Sequence, residues 1–128
     1  MTEPLLDPDS SREYLRDWKG RVDRAAAATQ AMADRLGDLR ISAVDGNGLV
    51  EVTIDSSGML IDVTFTERIQ RVAPDVVSRA VLTALGRARR KAAELSRQII
   101  DETMGPDSTA GRVIGQRIEQ QLGGARDE

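Results

Sequence analysis

A heptad repeat near the N-terminus is the feature that most constrains the fold of this 128-residue chain. Apolar residues, with one threonine among them, recur at alternating spacings of three and four between Leu15 and Leu39. This pattern predicts a helix from about residue 10 to residue 40, roughly 45 Å long. So small a chain has little surface with which to cover such a rod. The repeat therefore predicts either the seam of a homodimer or packing on a second helix of the same chain. The seam residues are Leu15, Trp18, Val22, Met32, Leu36 and Leu39.

The period of the apolar residues changes from helical to alternating after residue 40. Val50, Val52 and Ile54 alternate with polar residues, and so do Ile61, Val63 and Phe65. This is typical of strands with one buried and one wet face. Ser56-Ser57-Gly58 predicts the turn between these two strands, with a positive φ at Gly58. Asp45-Gly46-Asn47-Gly48 predicts an earlier turn, so a short strand is expected around residues 40–45.

Helical spacing returns at Pro74, which suits the first position of a helix, and ends near Met104, before Gly105-Pro106. The apolar stripe predicted for this helix is Val77, Val81, Ala84, Ala88, Ala92, Leu95 and Ile99. We therefore predict an α+β protomer of order α-β-β-β-α, with long helices flanking a three-stranded antiparallel sheet. The expected divisions are a flexible leader over residues 1–9, one domain over 10–105, and an extension over 106–128 with a short helix and a polar tail.

The composition excludes several classes of function. The chain has no cysteine and no histidine, so disulfides, thiolate zinc sites and histidine-dependent triads are all impossible. We expect no catalytic residue, no metal site and no cofactor. The N-terminus lacks the apolar core of a signal peptide, and no apolar run is long enough to span a membrane. A cytoplasmic protein without a membrane partner is therefore expected.

The segment LGRARRKAAELSRQ, residues 85–98, concentrates positive charge in a chain whose net charge is −3. Residues 74–104 carry six basic and four acidic side chains, whereas residues 41–73 carry two basic and five acidic ones. One interpretation is contact with DNA phosphates; the other is an ordinary exposed helix face, which is more common for such a pattern. The candidate DNA-contact residues are Arg79, Arg87, Arg89, Arg90, Lys91 and Arg97. A second candidate group on the first helix is Arg12, Arg16, Lys19, Arg21 and Arg24.

Two adjoining segments resemble the YbaB/EbfC family of nucleoid-associated proteins. They are VDGNGLVEVTIDSSGMLIDVTF and the basic, alanine-rich helix APDVVSRAVLTALGRARRKAAELSRQIIDETMG. The resemblance covers about residues 12–105 and depends on the glycine turns, the alternating strands and the end of the helix at Met104-Gly105. It implies a tweezer-like homodimer, located in the bacterial nucleoid, that binds double-stranded DNA with little sequence preference and is not an enzyme. The arginine-rich composition is also compatible with an actinobacterial relative linked to a specialised secretion system.

The expected function is therefore that of a small, dimeric, DNA-binding nucleoid protein. The alternative is a dimeric protein-interaction module, such as an accessory or chaperone-like secretion factor, that holds a protein partner and does not bind DNA. The net negative charge does not exclude DNA binding, because the local field matters more than the total.

Overall fold

The first element is a long helix, α1 (Pro8–Asp38), which spans 31 residues. The computed structural model describes residues 8–123 of the chain. The helix begins and ends within two residues of the predicted limits. Residues 1–7 of the predicted leader and residues 124–128 of the predicted polar tail lie outside the described residues.

Three strands follow α1 and form one antiparallel sheet in the order β1-β2-β3. They are β1 (Arg40–Val44), β2 (Val50–Asp55) and β3 (Leu60–Phe65). The predicted positive φ at Gly58 is confirmed, since its value is 90°. That conformation is strained for any residue with a Cβ, which explains the glycine in so short a turn.

The register of β3 differs from the simple alternation expected from the sequence. Thr53 pairs with Asp62, but Ile54 pairs with Leu60, so Ile61 is an extra residue in a bulge. Leu60, Ile61 and Phe65 all remain exposed, and only Val63 of the expected apolar set is half-buried. The expectation that Ile61 and Phe65 are buried is therefore wrong within one protomer, because the helix that covers β1 and β2 makes few contacts with β3.

That covering helix is α2 (Pro74–Met104), which follows a short 3-10 helix, Glu67–Arg71. Its contact face is built from small residues: Ala80, Ala84, Ala88 and Ala92 are all buried against the sheet. Alanines one turn apart allow a helix to lie close to the apolar side chains of β1 and β2. The buried stripe runs every fourth residue from Ala80 to Ser96 and continues at Ile99 and Ile100, while Val77, Val81 and Leu95 of the predicted stripe lie half-buried at its edges.

The last described element is α3 (Thr109–Gly123), which packs along α2. The four residues between the two helices reverse the chain, with Gly105 at a φ of 89°. Leu122 at the far end of α3 is only 2% exposed and belongs to the main core cluster. The predicted α+β class is confirmed, and the order of elements is α-β-β-β-α-α. None of the helices in residues 8–123 combines the length and apolarity needed to cross a bilayer.

The two ends of α1 have different environments. Met32 is buried against Ile99 and Ile100 of α2, and Leu36 and Leu39 pack on the same cluster. Arg35 and Glu102 form an ion pair at 2.8 Å beside it. Over residues 8–31 almost every side chain is exposed, including Tyr14, Leu15 and Trp18. We call residues 8–31 of α1 the arm.

Candidate nucleic-acid interface

The basic residues of α2 are distributed around the helix by its 3.6-residue period. Ala80, Ala84, Ala88 and Ala92 face the sheet, so side chains about half a turn away face solvent. Arg79, Arg90 and Arg97 occupy this outward face, and all three are exposed. The helical period therefore separates these three arginines from the buried stripe.

One flank of α2 carries Arg87 and Lys91, which are one turn apart and exposed. Arg87 Nη1 donates a hydrogen bond to the carbonyl oxygen of Val44 at 3.1 Å, where β1 ends. The guanidinium is thereby held beside the turn between β1 and β2. A Cβ on Gly46 would lie 3.5 Å from Arg87 Nη2, so this glycine leaves room for the arginine. Arg87 is a positioned cation with further N–H groups free to face solvent.

Arg89 lies on the opposite flank of α2 and differs from the other basic residues. Its side chain is half-buried, and its Nε finds no hydrogen-bond partner within the described part of the chain. A Cβ on Gly58 would lie 4.0 Å from this Nε and 3.1 Å from Leu122 Cδ2, so the turn after β2, Arg89 and α3 meet here. The sequence analysis groups Arg89 with the other candidate DNA-contact residues, but the structure places it apart from the exposed ones.

Two of the outward arginines already have acidic partners. Arg79 Nη1 lies 3.3 Å from Asp75 Oδ2 one turn earlier in α2. Arg97 Nη2 lies 2.8 Å from Glu119 Oε2, which belongs to α3. Both ion pairs are well exposed, so each contributes little to stability and can exchange its partner.

The second candidate group lies on the arm, and its members are exposed: Arg12, Arg16, Lys19, Arg21 and Arg24. Acidic residues are interleaved with them, and Arg12 lies 3.9 Å from Asp9. Between Arg79 and Arg97, by contrast, α2 has six basic side chains and a single acid, Glu94. The local positive field is therefore stronger on α2 than on the arm.

The structure adds one arginine that the sequence analysis did not select. Arg68, in the 3-10 helix, donates from Nη1 to the carbonyl oxygen of Asn47 at 3.0 Å. A Cβ on Gly48 would lie 3.5 Å from the same Nη1. Arg68 and Arg87 thus brace the same turn through Asn47 and Val44. Residues 41–73 hold two basic side chains, Arg68 and Arg71, among five acids, so only the packing of the chain brings Arg68 to the basic flank of α2.

The conformation of this turn depends on Asp45, a buried acid. Its Oδ1 accepts hydrogen bonds from the backbone N–H groups of Leu49 at 2.7 Å and Val50 at 2.9 Å, and its Oδ2 accepts from Asn47 at 3.0 Å. Burial by itself would raise the pKa of Asp45. The backbone donors outweigh that effect and hold the pKa below its ordinary value of 3.8. Asp45 therefore organises a hairpin turn, as the turn chemistry predicted.

Asp55 likewise accepts hydrogen bonds within the turn between β2 and β3. Asp55 Oδ1 accepts from the hydroxyl of Ser57 at 2.6 Å and from its backbone N–H at 2.9 Å. The pKa of Asp55 is lowered by the Ser57 hydroxyl, against some desolvation, and further by the backbone N–H groups of Met59 and Ser57. Both turns are thus held by ionised carboxylates: Asp45 holds the turn between β1 and β2, and Asp55 holds the turn between β2 and β3.

Comparison with known proteins identifies the family. Residues 15–106 match the model of the YbaB/EbfC DNA-binding family. This chain belongs to that family. The match begins in the arm and ends just after α2, so α3 lies outside it. The resemblance inferred from the glycine turns and the basic helix is confirmed.

Two relatives of this chain are named nucleoid-associated proteins, and a solved structure shares its fold. A nucleoid-associated protein from Synechococcus sp. (strain JA-2-3B'a(2-13)) is 28% identical over 103 residues, which cover 75% of this chain and 93% of the relative. A nucleoid-associated protein from Bradyrhizobium diazoefficiens is 34% identical over 85 residues, covering 61% of this chain and 77% of the relative. The crystal structure of the uncharacterized protein HP0035 from Helicobacter pylori shares the fold, with a TM-score of 0.56 at 16% identity, over 69% of this chain and 94% of that one.

Proposed function

We propose that this member of the YbaB/EbfC family is a non-enzymatic, nucleoid-associated protein that binds double-stranded DNA with little sequence preference. The observation that carries the proposal is the exposed basic surface of α2, formed by Arg79, Arg87, Arg90, Lys91 and Arg97, in a chain of a DNA-binding family. Guanidinium and ammonium groups on a helix surface bind phosphates through charge and counterion release, without reading bases.

The proposed active form is a homodimer. Exposed apolar side chains include those of the arm at Leu15, Trp18 and Val22 and those of β3 at Leu60 and Phe65. Clusters of exposed apolar side chains of this size are typical of protein-protein contacts. Met32, Leu36 and Leu39 pack on α2 of the same chain, so the arm supplies the remaining part of the predicted seam. Pairing two protomers would also double the number of basic surfaces available to one DNA duplex.

The decisive experiment is a titration of random-sequence duplex DNA at several salt concentrations. Each phosphate contact contributes about −0.9 to the slope of log affinity against log salt. Replacing Arg87, Arg90 and Arg97 together by alanine should flatten that slope by about 1.8 to 2.7, the larger value applying where phosphate fully displaces Glu119 from Arg97, and should weaken binding equally on unrelated sequences. Fluorescence anisotropy measures both quantities.

The matched control is a triple alanine variant of Arg12, Arg16 and Arg24, which removes the same charge from the arm. A smaller loss in this control assigns the contact to α2, and an equal loss assigns it to the whole basic field. Each exposed substitution should change the free energy of unfolding by less than about 0.5 kcal/mol, and loss of the Arg87–Val44 hydrogen bond should cost the α2 variant about 0.5–1.5 kcal/mol more, so melting curves accompany both titrations. Absence of binding by the wild-type protein at low salt would refute the proposal.

A second candidate function is supported by the arm. Tyr14, Leu15 and Trp18 are 65%, 59% and 52% exposed within two turns of helix, and aromatic residues presented in this way are enriched at protein interfaces. If DNA is not bound, a protein-interaction module that holds a partner along the arm becomes the best-supported function. Loss of a specific partner on replacement of Trp18, with no loss on replacement of Arg90, would support it.

A further inference from the structure

An acidic residue of α3 lies directly against the proposed phosphate-binding surface. Glu119 Oε2 accepts a hydrogen bond from Arg97 Nη2 at 2.8 Å. Arg97 faces outward from α2 and is one of the residues proposed to contact phosphate. Because α3 begins after residue 106, this contact joins the part of the chain that matches the family model to a helix outside it.

Apolar packing, rather than the ion pair, sets the position of α3. Leu122 is buried in the main core, and Ile114 and Ile118 pack against the core clusters. Gly111 is buried against Ile100, where an added Cβ would lie only 3.0 Å from Cγ2. This close approach favours a glycine and lets α3 lie tightly along α2. The Glu119 carboxylate therefore stays near Arg97 even when the ion pair opens.

We propose that Glu119 competes with DNA phosphate for Arg97, so that α3 limits the DNA affinity of the α2 surface. The two side chains of the pair are 59% and 49% exposed, so the pair is weak enough for phosphate to displace the carboxylate. Displacement leaves an acid held next to the bound phosphate, and like charges at that distance repel. The inference rests on the proposed DNA-binding function.

The test compares Glu119→Gln with Glu102→Gln in the full-length protein. Glu102 also lies at 2.8 Å from an arginine, Arg35, which is outside the proposed contact set, and the two variants change the net charge equally. Glu119→Gln should raise affinity for random duplex DNA by up to about eightfold near 0.1 M salt and steepen the salt slope by up to about 0.9. Glu102→Gln should leave the slope unchanged. Melting curves of both variants verify that α3 remains packed.

A double variant isolates the pair itself. In a protein that already carries Arg97→Ala, the Glu119→Gln change should produce no gain in affinity, because the competed group is absent. Equal behaviour of Glu119→Gln and Glu102→Gln in a protein that binds DNA overturns this inference and leaves the proposed function intact. Absence of binding by both wild type and Glu119→Gln overturns the inference and the function together. Binding by Glu119→Gln alone supports competition at Arg97 but refutes DNA binding by the wild-type protein.

Discussion

The arm and α2 show how differently two stretches of regular helix can be used in one protein. Helices α1 and α2 have the same length, 31 residues, and each carries a continuous apolar stripe. The stripe of α2 is built from alanines and is buried, whereas Leu15 and Trp18 of the arm are larger and exposed. Size and hydrophobicity therefore do not decide burial here. The decisive difference is that α2 crosses a sheet, while the arm extends beyond the elements on which α1 packs.

The largest expected effect comes from truncating an apolar side chain in the part of α1 that packs on α2. Met32→Ala should lower the free energy of unfolding by about 2–5 kcal/mol, because Met32 is 6% exposed and fills the cluster with Ile99 and Ile100. Urea denaturation of the protein measures the change. A loss below about 1 kcal/mol would mean that the end of α1 packs no better than the arm.

The turns of the sheet provide the next test, because α2 is buried only while β1 and β2 present a rigid surface. Asp45→Asn should destabilise the fold by roughly 1–3 kcal/mol at pH 7, since it removes a charged acceptor of three backbone N–H groups. A carboxylate whose folded pKa lies below its unfolded value contributes stability above the unfolded pKa, near 4, and loses it as pH falls through the folded pKa.

The wild-type protein should therefore lose stability as pH falls below about 4, and the difference from Asp45→Asn should narrow there. Glu51→Gln, an exposed acid on β2, is the control and should change stability little. Denaturation at pH 7 and at pH 3 measures the difference. A gap between wild type and Asp45→Asn that stays constant over this range would contradict the assigned role of the charge.

The smallest expected change in folding stability belongs to the arm. Trp18→Ala should change the free energy of unfolding of the protomer by less than about 0.5 kcal/mol, because the side chain is 52% exposed. The same variant should weaken the proposed dimer, which sedimentation equilibrium detects as a larger share of the 13.9 kDa species. Phe65→Ala is the matched change on β3. If only Phe65→Ala weakens the dimer, the interface lies on β3 and the arm is free for other contacts.

The basic surface shows how much of the candidate site could be predicted from the sequence. The helical period by itself puts Arg79, Arg90 and Arg97 opposite the alanine stripe, and all three are exposed in the structure. Arg89 follows the same period but lies against the Gly58 turn and Leu122, which only the packing of α3 brings there. Arg68 joins the surface from a different element through Asn47. Contacts between distant residues such as these are not encoded in any local spacing.

The sequence by itself determined the kind and order of the elements, the turn glycine at Gly58 and the family. Periodicity and turn chemistry are local properties, and a short window of residues contains them. Tertiary structure alone decided which apolar faces are covered: α2 covers β1 and β2, leaves Phe65 exposed, and receives α3 along its side. The hydrophobic effect favours burial without direction, so a stripe indicates which face will be buried but not against what.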